Sequence, residues 1–384
     1  MIRLEKLTKS YPGQERPAVD GLDLEIPAGE IVVFLGPSGC GKTTTMKLIN
    51  RLIEPTSGRS YLDGEDVTKV DPDQLRRKIG YAIQQTGLFP HRTVAENIAT
   101  VPKMLGWSRQ RINNRIDELL IMVGLEPEIY RNRHPKQLSG GQQQRVGVAR
   151  ALGADPAVML MDEPFGAIDP LTRESLQNEF LRIQAELRKT IVFVTHDIDE
   201  AIKMGDRIAI FAEGGRIAQF DTPEKILTEP ANNFVADFVG SGASIKRLTL
   251  SRVGDVDIPS WPTVRQDAGR DERLAAVRAS DRDFLLLLGP HGQPTGWLPV
   301  ESSRHEAQVL SPGLPVLSTI QPNDSLFAAL DQMLCTNSSA AVVVDESGAY
   351  RGALDINTIR TLIHTDKVTA RSTLAGKSSG SGEQ

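Results

Sequence analysis

The chain has 384 residues, 40% hydrophobic and 24% charged, enough for two or three domains that each bury a core. Lys plus Arg is 44 against 49 Asp plus Glu, a net charge of −5, and no basic stripe marks a nucleic-acid reader. Two cysteines, Cys40 and Cys335, exclude a disulfide scaffold, and apolar runs such as Ile31–Leu35 and Phe284–Leu288 fall far short of the ~18 residues of a membrane span. The N-terminus lacks the long apolar stretch of a secretory signal, so the expected setting is cytoplasmic, with any membrane contact made through a partner.

Residues 1–240 alternate strand-like and helix-like segments, which predicts an α/β sheet with crossover helices. Ile31–Leu35, Val158–Met161 and Ile191–Val194 are short continuous apolar runs, as expected of strands covered on both faces. A helical stretch from about Thr93 to Leu152, within a helical subdomain over 88–155, includes the amphipathic Arg109–Val123. Arg207–Phe211 and Arg216–Phe220, joined through Glu213-Gly214-Gly215, predict a hairpin. Gly240-Ser241-Gly242-Ala243-Ser244 marks a composition shift, and 241–258 is expected to be a linker.

Beyond it lies an internal repeat with an offset of 56 residues. Leu285–Leu288 aligns on Ala341–Val344, Gly292 on Gly348, Gly296 on Gly352, Leu298 on Leu354 and Leu274 on Leu330. Each copy reads helix, strand, glycine turn, strand, and the second continues into a helix near Asn357–His364. A unit this small cannot bury its apolar face alone, so the copies should pack into one domain over 259–366. The tail, 367–384, is too polar to fold.

Gly36-Pro37-Ser38-Gly39-Cys40-Gly41-Lys42-Thr43 follows a buried strand and opens a helix, the context a phosphate-binding loop requires. Glycines let backbone N–H groups converge on phosphate oxygens, Lys42 reaches the β/γ-phosphates, and the Thr43 hydroxyl suits Mg²⁺. Asp162, at the carboxyl end of a buried strand, suits the same ion, and Glu163 is placed to orient or deprotonate the attacking water. Leu138-Ser139-Gly140-Gly141-Gln142-Gln143-Gln144-Arg145 opens another helix. On physics alone it is either an anion site or a helix capped by Ser139.

That segment, between a phosphate loop and an Asp-Glu strand, resembles the signature of ATP-binding-cassette ATPases. The other family motifs follow in order: Gln84 fits the Q-loop, Gly166-Ala167-Ile168-Asp169 the D-loop, His196 the switch histidine, and Tyr11 the ring that stacks on adenine. The resemblance implies a P-loop NTPase with a RecA-like core, an antiparallel β subdomain and a helical subdomain. It implies ATP and Mg²⁺, held by Tyr11, Gly36 to Thr44, Ser139, Gly140, Gly141, Gln142 and Asp169, with Thr43, Gln84 and Asp162 toward the metal and Glu163, His196 and Gln84 catalytic. It also implies a homodimer with two ATP molecules sandwiched between phosphate loop and signature, and a transmembrane permease at the cytoplasmic face of the membrane.

Ile83-Gln84-Gln85-Thr86-Gly87-Leu88-Phe89-Pro90-His91, continuing to Thr93–Ile98, is similar to the importer ATPases for quaternary amines, whose permeases receive solute from an extracellular binding protein. The repeat resembles the tandem cystathionine-β-synthase (CBS) module that many of them carry. Asp355 and Thr358 in the second copy, and Pro299 and Ser302 in the first, leave no acid where that module grips a ribose. Regulatory and purely structural roles both stay open for it, as does an importer for another small solute or a non-transport ATPase of the same superfamily. Trp107, Trp261 and Trp297 are scattered along the sequence and are expected to be packing residues. Cys40 is expected to be a small residue that fits its loop, with alkylation there blocking ATP binding.

Overall fold

Alternating buried and exposed positions along Ile2–Lys9 (β1) and Val19–Ile26 (β2) give strands with one wet face, whereas Ile31–Leu35 (β3) is buried at every position. The computed structural model describes residues 2–82, 87–166, 168–240, 242–303 and 309–363. Within them β1 pairs antiparallel with β2 and with Ser57–Leu62 (β4), and Glu65–Asp66 (β5) completes a four-stranded sheet. A six-stranded sheet holds β3 with Ile79–Ala82 (β6), Val158–Asp162 (β7), Thr190–Thr195 (β8), Arg207–Phe211 (β9) and Ile217–Asp221 (β10). Its order is β10-β9-β3-β8-β7-β6, parallel except for the β9–β10 hairpin. Leu35 lies opposite Thr195, and Asp162 opposite Val194, so the carboxyl ends of β3, β8 and β7 form one edge. Ligands of open α/β sheets bind at such an edge.

The helical stretch is built by local rules. Ser108 caps Arg109–Met122, which buries Ile112, Ile116, Leu119 and Leu120 on one face, and a Thr93/Glu96 capping box starts Val94–Ile98. No described helix is long and apolar enough to cross a membrane.

The chain divides near Gly240 into two units. In the second, Thr263–Arg265 (β11), Phe284–Leu288 (β12) and Pro294–Pro299 (β13) form one sheet, and Thr319–Ile320 (β14), Ala340–Val344 (β15) and Tyr350–Asp355 (β16) another. The 56-residue offset carries into the pairing: Thr263 opposes Leu286 as Thr319 opposes Val342, and Leu285 opposes Leu298 as Ala341 opposes Leu354. Even the register shift recurs, between Leu287 and Leu288 and between Val343 and Val344. Arg270–Ala279 and Leu326–Cys335 are the helices of the two copies, and the chain is again helical over 356–363. β11 and β14, absent from the sequence expectation, are too short to leave a periodic signal.

The segment expected to be a linker is folded over 242–258. It carries the helix Ala243–Arg247 and sends Leu248 and Val253 into the core of the second copy, beside Ile320, Leu326 and Val343. At the equivalent place before the second copy, Val309 enters the core of the first, beside Val264, Leu285 and Leu298. Ala353 N–H donates to Pro259 O at 3.2 Å, while Trp297 and Leu314 exchange two backbone hydrogen bonds of 2.7 Å. Each copy is thus completed by the segment that precedes the other. Isolated apolar residues in a polar stretch have no periodicity, which is why this stretch reads as a linker. The tail, 367–384, lies outside the described residues.

Candidate functional site

The loop after β3 is shaped by two crowded glycines. Gly36 has φ +154, and a Cβ there would stand 2.4 Å from Phe211 O; Gly41 has φ +102, and its Cβ would stand 2.5 Å from Ala18 O. Only glycine meets both the backbone and the contact demands. The β9–β10 turn braces the loop, Gly215 N–H donating to Cys40 O at 2.9 Å. Lys42, 7% exposed, opens the helix Lys42–Ile49 and donates from Nζ to Gly36 O at 2.6 Å and Pro37 O at 2.9 Å. Ser38 is exposed, Gly39 has open space around it, and Thr44 is half-buried in the first helical turn.

The Cys40 thiol fits its loop as a small buried side chain. It is 2% exposed, packed 3.6 Å from Lys42 Nζ, and so shielded from reagents, whereas Cys335 is exposed. Iodoacetamide on the native protein is expected to modify Cys335 and spare Cys40 in peptide mass spectra; equal labelling would contradict the packing.

On β7, Asp162 Oδ1 accepts from Thr43 Oγ1 at 3.1 Å. Burial pushes the Asp162 carboxyl up, the Thr43 bond opposes that, and the neighbouring Glu163 charge adds to it. A half-buried carboxylate beside a hydroxyl is a donor set that fits Mg²⁺, because a cation there relieves the penalty that burial places on the charge. Since the folded carboxyl holds its proton more tightly than the unfolded one, its contribution to stability is lost as pH rises through the raised value. Asp162→Asn, with no such penalty, is expected to melt a few degrees (~2–4 °C) higher than wild type near neutral pH while losing metal-dependent hydrolysis. Calorimetry and phosphate release on one sample check both halves.

Glu163 sits at φ 45, a left-handed conformation costly for a residue with a Cβ. The turn is fixed by Glu163 N–H donating to Val194 O at 3.0 Å and Gly166 N–H donating to Glu163 O at 3.1 Å. It aims the carboxylate at His196, whose Nδ1 lies 3.1 Å from Glu163 Oε1. Strands β7 and β8 thus bring the two together beside the phosphate loop's strand.

The second glycine segment is a capped helix. Ser139 Oγ accepts from Gln142 N–H at 3.3 Å, Gln142 Oε1 accepts from Ser139 N–H at 3.0 Å, and Gln142 Nε2 donates to Tyr130 at 3.1 Å. A Cβ on Gly141 would stand 3.1 Å from Thr172 Cγ2, in the first turn of the helix Pro170–Leu187, whereas Gly140 faces open space. Asp169 caps that helix, accepting from Thr172 N–H at 3.0 Å. The signature and D-loop helix starts therefore abut. Tyr11 lies on the β1–β2 connection with Lys9 Nζ 5.2 Å from its ring centre. Gln84 and Ala167 lie outside the described residues.

Sequence reasoning missed a buried link behind these groups. Gln177, 6% exposed, donates from Nε2 to Glu200 Oε1 at 3.1 Å, and Glu200 also bonds the Thr195 side chain, next to His196. Burial pushes the Glu200 carboxyl up, while the charge of Arg173, which holds the D-loop carbonyl of Ile168 at 2.9 Å, pulls it down. The D-loop helix and the histidine strand are tied through one carboxyl. No sequence spacing signals it, because the partners come from different elements.

With this geometry in place, comparison with known proteins is specific. A family model described as ABC transporter matches residues 19–166. The chain is 46% identical over 359 residues to the osmoprotectant import ATP-binding protein OsmV of Salmonella typhimurium, covering 92% of this chain and 94% of that one. It is 46% identical over 357 residues to the glycine betaine/carnitine/choline transport ATP-binding protein OpuCA of Bacillus subtilis, covering 92% and 93%. Among solved structures, the dimeric post-hydrolysis state of the ATP-binding cassette MJ0796 bound to ADP and Pi is similar with a TM-score of 0.52 and 37% identity, over 58% of this chain and 99% of that one.

Proposed function

This chain belongs to the ABC transporter ATPases of osmoprotectant uptake systems, and from that membership we propose how its residues do their work. It is the ATP-binding subunit that powers import of an osmoprotectant of the glycine betaine, choline or carnitine class. The observation that carries the mechanistic reading is the shared edge of β3, β8 and β7, where Lys42, Thr43, Asp162, Glu163 and His196 converge.

The ATP phosphates lie along the Gly36–Thr43 backbone, with Lys42 turning from its loop carbonyls to the β/γ-phosphates and Tyr11 against adenine. Thr43 and Asp162, joined by Gln84, would hold Mg²⁺, which when bound supplies charge neutralisation on the phosphates. Glu163 accepts a proton from the attacking water, and His196, oriented by Glu163 through Nδ1, steadies the γ-phosphate.

One phosphate loop and one signature per chain support a homodimer, each ATP being touched by Ser139 and Gly141 of the opposite subunit. Closure on ATP and reopening after hydrolysis drive a permease that holds the subunit at the cytoplasmic face of the membrane, while an extracellular binding protein delivers solute to that permease. The second unit is a tandem CBS-type module; its repeated strand–helix–strand–strand register supports this, and a regulatory role suits it.

The test is capture of the full chain from detergent-solubilised membranes, followed by reconstitution. A multi-span membrane protein should accompany it, and glycine betaine, choline or carnitine with the binding protein should stimulate ATP hydrolysis. Stimulation by a polyamine alone, or no membrane partner, would overturn the assignment.

A further inference from the structure

Trp261 and Trp297, far apart in sequence, come together in the second unit. Their ring centres are 5.3 Å apart and their planes meet at 66°, edge to face. With Phe284 they wall a cavity of about 300 Å³, lined also by Leu314, Asn337 and Ser338. Trp261 is 9% exposed, and its buried Nε1–H finds no acceptor among the described residues. As expected of packing residues, Trp261 joins Ala340 and Ala353 in a small apolar cluster against which Phe284 and Trp297 pack.

The lining selects a ligand class. None of the described residues that wall the cavity is charged, so among them there is no cation for a phosphate and no carboxylate for a primary amine. Aromatic faces instead suit a compact cation that cannot donate hydrogen bonds. Trp261 already holds one cation, Arg282 Cζ lying 5.0 Å from its ring centre with Asp355 3.5 Å from the guanidinium to balance the charge, which leaves Trp297 and Phe284 as the aromatic surfaces for a ligand.

We propose that this pocket binds a small quaternary ammonium compound, with Trp297 and Phe284 against the methylated nitrogen. A few-atom ligand of that kind fits 300 Å³. The transported class has this chemistry, so the ATPase subunit would sense solute already delivered; that consequence rests on the importer reading, whereas the binding site does not.

The experiment uses the full chain with Trp107→Phe, leaving Trp261 and Trp297 as its tryptophans. Fluorescence is titrated with glycine betaine, choline and tetramethylammonium, and with glycine and AMP as controls. The expected result is a saturable change with the quaternary compounds and none with glycine. Trp297→Leu and Phe284→Leu should each weaken binding about tenfold, Trp297→Phe should retain it, and ATP hydrolysis without ligand should be unchanged. A flat titration, an equal response to glycine, or AMP as the tight binder would overturn the site. If reconstituted transport proves to move another solute while tetramethylammonium still binds, the site stands and the importer reading fails.

Discussion

Glu163→Gln is expected to lower ATP turnover by at least ~10²-fold while nucleotide binding persists. The backbone at Glu163 is held by Val194 O and by Gly166 N–H, neither of which involves the side chain, so glutamine stands where the carboxylate stood. It keeps a hydrogen-bonding partner for His196 Nδ1, 3.1 Å away in the wild type, but cannot take a proton from water. Hydrolysis should stop with the dimer closed on ATP, visible as a nucleotide-dependent doubling of mass in size-exclusion chromatography. Phosphate release near the wild-type rate would remove Glu163 from the base role.

A chain ending at Ser303 is expected to lose the folded second unit altogether, whereas one ending at Gly240 should melt cooperatively. The first repeat depends on Val309 for its core and on Leu314 for a strand partner, and Leu248 and Val253 depend on the core of the second repeat. Exposing several such aliphatic side chains costs about 1.5–3 kcal/mol each, comparable in sum to the ~5–15 kcal/mol that stabilises a domain. The shorter chain should show one transition, and the chain ending at Ser303 that same transition plus strong binding of a hydrophobic dye. A separate cooperative transition from residues 241–303 would refute the exchange of segments between repeats.

Sequence was most informative where function is local. The phosphate loop is eight consecutive residues between a buried strand and a helix, and its two crowded glycines lie where the pattern put them. Asp162 and Glu163 were legible because a fully apolar strand ends in them. Ser139 read as an anion site or a cap; in the fold it caps its helix, and nearby Gly141 abuts the helix Pro170–Leu187. What escaped was non-local: the Gln177–Glu200–Thr195 link, the cores joined by Leu248 and Val309, and the meeting of Trp261 with Trp297. None of these leaves a period or a motif, because each partner looks ordinary until tertiary packing sets the pair together.

The duplicated backbone of the second unit carries unduplicated chemistry. Trp261, Phe284 and Trp297 have Leu317, Ala340 and Ala353 as their counterparts at the 56-residue offset, although strand pairing, register shift and helices all match. A twofold scaffold with one aromatic half can offer quaternary nitrogen a single berth, so saturation should come at one equivalent per polypeptide, and a closed pair of subunits would count two.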